Sequence, residues 1–227
     1  VEFDIQKSIY FYSKCIESRI QLVKNYNPRD HQISYEYIIN KHFYHSYNNL
    51  GLIYMTVFND AEKATQFIKE AAFAEFPFGQ NNYGLLNEFY LNDIEYAEYM
   101  YERSSKHHFA LAEFNLAHLK EKENKIDESI EFYIKASDDE NEPLIFHNNK
   151  YYDKRLEISK IFVICYTNLK LTEYFLSKSK FDESKKYFNK SFSKLKINEK
   201  DLKYEFQFRF DKENHFSYLK SFILCFP

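Results

Sequence analysis

The sequence has little glycine or proline and no tryptophan: its 227 residues include 3 Gly and 4 Pro. Sandwiches and barrels need many tight turns, and those turns draw heavily on glycine and proline. Glycine-rich phosphate loops are missing from the sequence, and so are the G-x-S-x-G and H-E-x-x-H motifs of hydrolases and metalloproteases. These absences exclude the turn-rich β classes and predict a mostly helical, all-α protein.

An excess of one charge and long apolar runs are also absent. The net charge is −3 and the isoelectric point is near 6.3, so no whole-chain field attracts nucleic acid or acidic lipid. No apolar run approaches the ~20 residues that a membrane helix needs. Cys15, Cys165 and Cys225 stand far apart without a C-x-x-C pair. That pattern is typical of reduced thiols in a cytosolic or nuclear setting, and we predict a cytoplasmic protein.

Aromatic residues are what the sequence has in abundance, with 24 Phe and 21 Tyr. Phe, Tyr, Asn, Lys and Ile are all frequent, which is the bias of AT-rich codons. A single aromatic residue therefore says little about function in this chain. The rarer small residues carry more information.

Internal repeats are the strongest signal in the sequence. YNNLGL at residues 47–52 returns 33 residues later as QNNYGL at residues 80–85, and a shorter copy, FNLA, lies at residues 114–117. A second recurring segment begins with a small residue. A large apolar or aromatic pair follows three and four residues later, and a second small residue lies seven residues after the first. The small residues of these segments are Ser8 and Cys15, Ala64 and Ala71, Ala97 and Ser104, Ser129 and Ala136, and Ser184 and Ser191.

The spacing of the small residues predicts close helix packing. Seven residues are two helical turns, so both small residues of a segment share one face of a helix. Two helices approach closely only where side chains are small, and the bulky pair fills the space beside the crossing. Each segment is therefore predicted to be the second helix of a repeated antiparallel pair.

These residues resemble the tetratricopeptide pattern. Tyr47-x2-Leu50-Gly51-x2-Tyr54, followed by Ala64-x3-Ile68, is similar to that pattern with Tyr in place of its Trp. The placement of alanines within residues 63–72, and one extra residue between the two helices, are more similar to Sel1-like repeats. The resemblance covers residues 46–137 well and 166–192 loosely. It implies a right-handed α-solenoid of helix pairs that acts as an interaction scaffold.

The predicted organisation is a helical repeat domain over residues 1–197 and a capping segment over residues 198–227. Second helices are expected near 8–24, 61–75, 94–107, 127–137 and 181–195. Because residues 8–15 match a second helix, the chain is expected to open on half of a pair and to be a fragment of a longer repeat protein. Residues 204–210 alternate in a strand-like way, but a capping helix over 212–226 is the preferred interpretation.

Two repeat steps, each about 22 residues longer than the others, predict two extended first helices. In the first step, an apolar stripe runs unbroken from Tyr35 to Phe58, and in the second a similar stripe runs from Ile158 to Leu176. An inserted extra helix is the alternative for each step.

An asparagine ladder is the predicted binding site. Asn49, Asn82 and Asn115 each lie two residues before the small crossing residue of a first helix, on the expected concave surface. An amide both donates and accepts, so a row of amides can hold the backbone of an extended peptide. The resemblance implies ligand contact at this asparagine, and His45 and Tyr83 are the predicted flanking contacts. The lysines and arginines that bind acidic chaperone tails are absent beside it.

Catalytic and metal sites are not predicted. His42 and His45 lie one turn apart, but no cysteine or third ligand is spaced nearby, so neither a metal nor a cofactor is expected. The acidic residues between Glu121 and Glu142 lack the regular spacing of a calcium loop and are expected to form a solvated rim. Lysines between residues 178 and 196 are interrupted by acidic residues, which disfavours nucleic acid as a partner.

The functional prediction is a non-catalytic scaffold that binds a peptide or helix of a partner protein on its concave face. One alternative is a structural subunit of a large assembly. Another is a regulatory repeat region of a larger enzyme. In each case the partner is expected to be protein, with no membrane, and the chain part of a longer protein or larger complex.

Overall fold

A computed structural model describes residues 5–26, 41–138 and 154–193 of the chain. These residues contain α-helices and no strand, so the all-α prediction is confirmed for this part of the chain. Its helices are α1 (Ile5–Lys24), α2 (Lys41–Thr56), α3 (Ala61–Phe73), α4 (Pro77–Leu86), α5 (Ile94–Ser105), α6 (Ala110–Lys122), α7 (Ile126–Asp138), α8 (Lys154–Ser177) and α9 (Phe181–Ser193). A one-turn π-helix, Asn87–Leu91, continues α4. The chain divides into two compact units, the first ending at Ser104 and the second starting at Ser105.

In the first unit, each helix packs on the next one along the chain. α1 contacts α2, α2 contacts α3, and α3 contacts α4. One apolar cluster joins Ile16 of α1 to Leu50 of α2 and Ala71 of α3, and a second joins Met55, Ile68 and neighbouring residues as far as Met100 of α5. The apolar face of each helix is thus buried against neighbours close in sequence.

Two glycines mark where backbones approach most closely. A Cβ atom on Gly51 of α2 would collide with the side chain of Ile68 and would lie 3.2 Å from the carbonyl oxygen of Ala64. On Gly79 of α4, it would lie 2.7 Å from the backbone carbon of Ala71. Because backbone atoms cannot move aside as a flexible side chain can, any larger residue would push these helices apart.

The predicted burial of the small residues is confirmed in four of the five segments. Their side chains are at most 6 % exposed, and they are Ala64 and Ala71, Ala97 and Ser104, Ser129 and Ala136, and Ser184 and Ser191. In the fifth segment, on α1, Ser8 and Cys15 are half-buried. Small residues therefore lie at helix contacts in α3, α5, α7 and α9.

The second unit repeats this arrangement. α6 packs on α7, α7 on α8, and α8 on α9. Its core cluster joins Ala117 of α6, Tyr133 of α7, Leu171 of α8 and Tyr187 of α9. Tyr187 stacks on Phe175 with ring centroids 5.4 Å apart and planes 5° from parallel.

The turns between helices share one backbone feature. Among the residues that the structure describes, six adopt left-handed backbone conformations with φ between 53° and 60°, and none of these is glycine: Asn59, Glu75, Asn92, His108, Asn124 and Ser179. Four of them, at 59, 92, 124 and 179, each lie five residues before the first small residue of the next segment. The repeat step in the sequence is thus also present in the backbone.

The two longer steps are described unequally. α8 has 24 residues, against 13 in α6 and α7, so the second long step contains one extended helix in its described part. In the first long step, α2 begins at Lys41, and the part of the predicted extended helix before Lys41, including Tyr35, lies outside the described residues. The predicted cap over 198–227, with its strand-like residues 204–210, lies outside them as well.

Candidate functional site

Four asparagines of the first unit form one directional chain of hydrogen bonds. Asn81 Nδ2 donates to Asn82 Oδ1 at 3.3 Å, and Asn82 Nδ2 donates to Asn48 Oδ1 at 2.8 Å. Asn48 Nδ2 donates to Asn49 Oδ1 at 3.2 Å, and Asn49 Nδ2 donates to Tyr12 Oη at 3.1 Å. The chain therefore runs from α4 through α2 to α1.

The repeat of adjacent asparagines explains this geometry. Each helix carries an Asn-Asn pair at the same repeat position, 48 and 49 on α2 and 81 and 82 on α4. An amide uses one N–H to donate and its oxygen to accept, so two such pairs facing each other can join in one series. Each internal donor in the series keeps a second N–H.

Most of the amide chain is shielded from water. Asn48, Asn81 and Asn82 are buried, with Asn82 at 8 % exposure, while Asn49 is half-buried. Gln80 is buried beside them in sequence, and no donor among the described residues lies within hydrogen-bond reach of its Oε1. A buried acceptor without a donor is costly, so this amide oxygen is available to any donor that reaches it.

The α1 end of the amide chain is the phenol of Tyr12, and a guanidinium of the same helix contacts other phenols of α2. Burial raises the pKa of Tyr12, although the hydrogen bond from Asn49 opposes this, so its hydroxyl keeps its proton at neutral pH. Two turns further along α1, Arg19 donates to Tyr44 Oη at 3.2 Å and to Tyr47 Oη at 3.4 Å. Its guanidinium lies 5.0 Å from the Tyr44 ring centroid, a cation–π contact.

The two predicted flanking residues are held by aromatic neighbours. His45 packs edge-on against Phe76, with ring centroids 4.4 Å apart, and is half-buried. Tyr83 is buried at 7 % exposure and packs edge-on against Tyr96 at 5.7 Å. Burial raises the pKa of Tyr83. His45 thus presents an accessible edge, whereas Tyr83 serves mainly as a packing residue here.

The third asparagine of the predicted ladder belongs to the second unit. Asn115 is half-buried on α6, and its neighbours Phe114 and Leu116 are buried. Hydrogen bonds thus join Asn49 and Asn82 through Asn48. Asn115 belongs to the second unit and is described there by itself. A peptide-binding role for all five residues stays a prediction.

Two polar contacts between α1 and α2 were missed from the sequence. Tyr12 is 37 residues from Asn49, and Arg19 is 25 residues from Tyr44. Neither residue stands out in the sequence, because each is close to its partner only in the folded chain. The available clue was that Asn48 and Asn81 also repeat at a step of 33 residues.

A second polar cluster lies in the second unit and corrects part of the predicted solvated rim. Glu121 of α6 accepts from Lys170 of α8 at 2.8 Å and from Tyr133 of α7 at 3.0 Å, and His118 Nδ1 lies 3.2 Å from it. The contacts with His118, Lys170 and Tyr133 lower the pKa of Glu121 to about 2. Glu121 is half-buried because α8 covers it, while Glu123, Asp127 and most acidic neighbours described there are exposed.

The described residues contain neither a metal-binding group of side chains nor a membrane-spanning helix. Within residues 5–26, 41–138 and 154–193, no three His, Cys, Asp or Glu side chains are grouped in a way that could hold a metal ion. In those same ranges, no helix combines the length and apolar character needed to cross a membrane. The two polar clusters described above consist of amides, phenols and ion pairs.

No known protein-family model and no curated protein matches this sequence.

Proposed function

We propose that this chain is a non-catalytic, cytoplasmic scaffold of the tetratricopeptide or Sel1-like kind, with helix pairs stacked as a right-handed α-solenoid. It binds a peptide or helix of a partner protein on its concave face. The observation that supports the proposal is that two structural features recur together along the chain. Left-handed turn residues and buried small residues recur together at 59 and 64, 92 and 97, 124 and 129, and 179 and 184.

Repetition of this kind supports a binding function on physical grounds. Repeats that each contact mainly their neighbours form extended surfaces rather than one closed core. Helix contacts in both units join consecutive elements, as such an arrangement requires. An extended surface built of equivalent helices offers equivalent contacts at regular intervals, which suits an extended peptide.

The amide chain supports peptide backbone as the ligand. Peptide backbone presents one donor and one acceptor at each residue, and an amide side chain complements both. Asn49, Asn115 and His45 are half-buried and offer direct contact. Asn82 and Tyr83 are more buried, so they offer a smaller edge and hold the neighbouring side chains in place.

The test uses peptides selected from a displayed random library on the intact chain. Their affinity is then measured for the Asn49→Ala/Asn115→Ala variant, after circular dichroism has shown unchanged helicity. We expect binding about tenfold weaker or more, because two amide hydrogen bonds of about 1 kcal/mol each are lost.

The matched control is Asn189→Ala, at an exposed asparagine of α9. This variant should bind the selected peptides like the unaltered chain. Equal affinity for the control and the double variant would show that the amides are not the binding site.

A structural role in a large assembly is the second candidate, and exposed apolar side chains favour it. Phe181 is 65 % exposed and Leu176 54 %, and Tyr10, Phe11 and Phe73 are also more than half exposed. Large exposed apolar residues mark docking surfaces when they are contiguous. Sedimentation of the chain with and without such side chains replaced by Glu distinguishes this role, since only an assembly subunit would lose self-association.

A further inference from the structure

Two turns of the first unit expose large apolar side chains at equivalent positions of the repeat. Phe58 follows α2 and precedes the left-handed Asn59, and Leu91 precedes the left-handed Asn92 one repeat step later. Phe58 is 46 % exposed and Leu91 is 45 % exposed, and Ile94, which begins α5, is 38 % exposed. An uncovered apolar residue thus recurs where the chain turns from one helix of a pair to the next.

The same position of the turn is charged in the second unit. Glu123 precedes the left-handed Asn124, and Lys178 precedes the left-handed Ser179. A charged residue is the usual occupant of a solvated turn, because water solvates its charge and no apolar surface is left uncovered. The turn therefore does not by itself require an apolar side chain at this position.

A hydrogen bond holds the two turns of the first unit side by side. Tyr90 Oη donates to the Met55 carbonyl at 2.6 Å, and α2 also contacts α4. Phe58 follows Met55 by three residues, and Leu91 follows Tyr90 directly. Because packed helices lie about 8–10 Å apart, we expect Phe58 and Leu91 to be separated by about the same distance and to belong to one surface.

Acidic side chains lie beside these apolar residues. Glu62, Asp93 and Glu95 are exposed, and no ion pair joins any of their carboxylates to another described residue. Asp93 accepts one hydrogen bond from a backbone amide of α5, which leaves its second oxygen for a cation. The only basic residue of segments 57–63 and 91–96 is Lys63, and it lies 3.4 Å from Asp60. We call this surface the turn edge, and it consists of Phe58, Leu91, Ile94, Glu62, Asp93 and Glu95.

The charge of the turn edge selects the class of partner. Carboxylates without a cation attract lysine and arginine, and they repel the phosphates of nucleic acid and of anionic lipid. The apolar side chains between them lose contact with water only if the partner also brings apolar side chains. An occupant must therefore combine an apolar stripe with flanking basic residues.

We propose that the turn edge binds a basic amphipathic helix of a partner protein. Residues seven apart in a helix lie on one side and about 10.5 Å from each other, which is close to the distance expected between Phe58 and Leu91. Two apolar side chains of such a helix cover these residues, and its lysines and arginines reach Glu62 and Glu95. The turn edge uses none of the asparagines of the amide chain, so this surface is additional to the peptide site of the proposed function.

The experiment measures binding of a synthetic peptide to the intact chain by fluorescence anisotropy. The labelled probe is an alanine-based helix about five turns long, with leucines seven residues apart on one side and lysines on both sides of that stripe. We expect saturable binding that weakens as salt is raised from about 50 mM to 300 mM, because the exposed charges are screened. The matched peptide with glutamate in place of every lysine should not bind.

A pair of apolar substitutions locates the contact. Phe58→Ser/Leu91→Ser should weaken binding about tenfold or more, after circular dichroism has shown unchanged helicity, because the apolar contacts are lost. The control Phe73→Ser/Tyr99→Ser changes two other exposed aromatic residues of the same unit and should bind like the unaltered chain.

A pair of charge substitutions tests the acidic residues without altering the apolar ones. Glu62→Gln/Glu95→Gln should weaken binding about fivefold at low salt and less at high salt. The control Glu70→Gln/Glu128→Gln makes the same change in net charge at exposed positions outside the turn edge and should leave the affinity unchanged.

A photo-reactive group in place of the central leucine identifies the residues that the peptide contacts. Cross-links found by mass spectrometry should fall on Phe58, Leu91 or Ile94. Cross-links elsewhere, equal affinity of all four variants, or no binding of the lysine peptide would overturn the proposal. A dimer of the chain that Phe58→Ser/Leu91→Ser dissociates would assign the turn edge to a second copy and also overturn it.

The asparagine variant separates this proposal from the proposed function. Asn49→Ala/Asn115→Ala should weaken the peptides selected from the library and leave binding of the lysine peptide unchanged. Failure of the lysine peptide to bind, with library binding intact and sensitive to the asparagines, would refute the turn edge alone. The reverse result would refute the amide site alone.

Discussion

Side-chain volume governs this protein most strongly at the helix crossings. Ala97 of α5 and Ser104, two turns later, are completely buried, and α5 also carries the buried pair Met100 and Tyr101. Interiors are packed to crystal density, so an added methylene has no space to enter. Small residues at these positions are therefore a requirement of packing.

Replacing Ala97 by Leu should destabilise the first unit by ~1–3 kcal/mol, because the larger side chain forces the crossing apart. The matched change Ala74→Leu should cost less, since Ala74 is half-buried at the end of α3. Urea unfolding followed by circular dichroism measures both free energies of unfolding. Equal losses would contradict the assignment of Ala97 to a crossing.

Individual residues differed in how far the sequence could predict them. The small residues were predicted because their spacing repeats and because alanine and serine are informative in a chain rich in large side chains. The α1 partner of Asn49 was not, since Tyr12 meets it only through the packing of α1 on α2. Glu121 was assigned to solvent for the same reason: Lys170, 49 residues away, is what covers it.

At the scale of elements, the described turns between helices do not use glycine at their left-handed positions, although glycine suits that conformation best. In the described part of the chain, each of six turns has one left-handed residue, and none of the six is glycine. A side chain in that conformation costs roughly 1–2 kcal/mol, less for asparagine, whose side chain bonds locally. Three of the six are asparagine, and the other three are Glu75, His108 and Ser179.

Glu75→Gly should stabilise the first unit by about 0.5–1 kcal/mol, because glycine relieves the left-handed strain. Its 3.5 Å contact with Arg103 is exposed on the Glu75 side and contributes little. The matched change Glu70→Gly, inside α3, should destabilise by about the same amount, because glycine weakens helices. Thermal unfolding of both variants gives the comparison, and shifts of the same sign would refute this account of the turn.

The sequence predicted that the elements are helices, but it did not predict their local irregularities. Scarce glycine and proline, together with apolar spacing of three and four, predicted helices, and helices are what the described residues form. The π-helix at Asn87–Leu91 was not predicted, because the sequence shows one extra residue between the two helices but not which turn contains it. The side-chain hydrogen bond from Asn87 Nδ2 to the Tyr83 carbonyl of α4, at 2.7 Å, could not be predicted from residue spacing either.

At the scale of the whole molecule, each unit has its own polar cluster beside its apolar core. In the first unit it is the amide chain, which carries no charge and does not titrate near neutral pH. In the second it is Glu121, which ties α6 to α7 through Tyr133 and to α8 through Lys170. The two units should therefore differ in their response to acid.

Acid should weaken the second unit through Glu121. Its pKa lies at about 2 in the folded chain against an ordinary 4.5. A lowered folded-state pKa stabilises fully above the unfolded value, and the contribution is lost as pH falls from about 4.5 towards 2. Because Glu121 is partly exposed, we expect about 1–2 kcal/mol.

Glu121→Gln should thus be less stable than the unaltered chain at pH 6, and the difference should shrink as the pH approaches 2. The exposed Glu128→Gln serves as the control and should show neither effect. Urea unfolding across this range measures the free energies. A gap between the two chains that stays constant with pH would rule out titration of Glu121 as the cause.

The wide turn after α4 explains why the repeat is not perfectly regular. Ten residues separate Asn49 from Asn59 and Asn82 from Asn92, but nine separate Asn115 from Asn124. In the longer copies the extra residue is taken up by bonds that span five residues, as from the Asn92 amide to the Asn87 carbonyl. Such a place lets the gene gain or lose a codon while the flanking core keeps its register. A change of one residue in the length of this turn should therefore leave the helix contacts on either side of it intact.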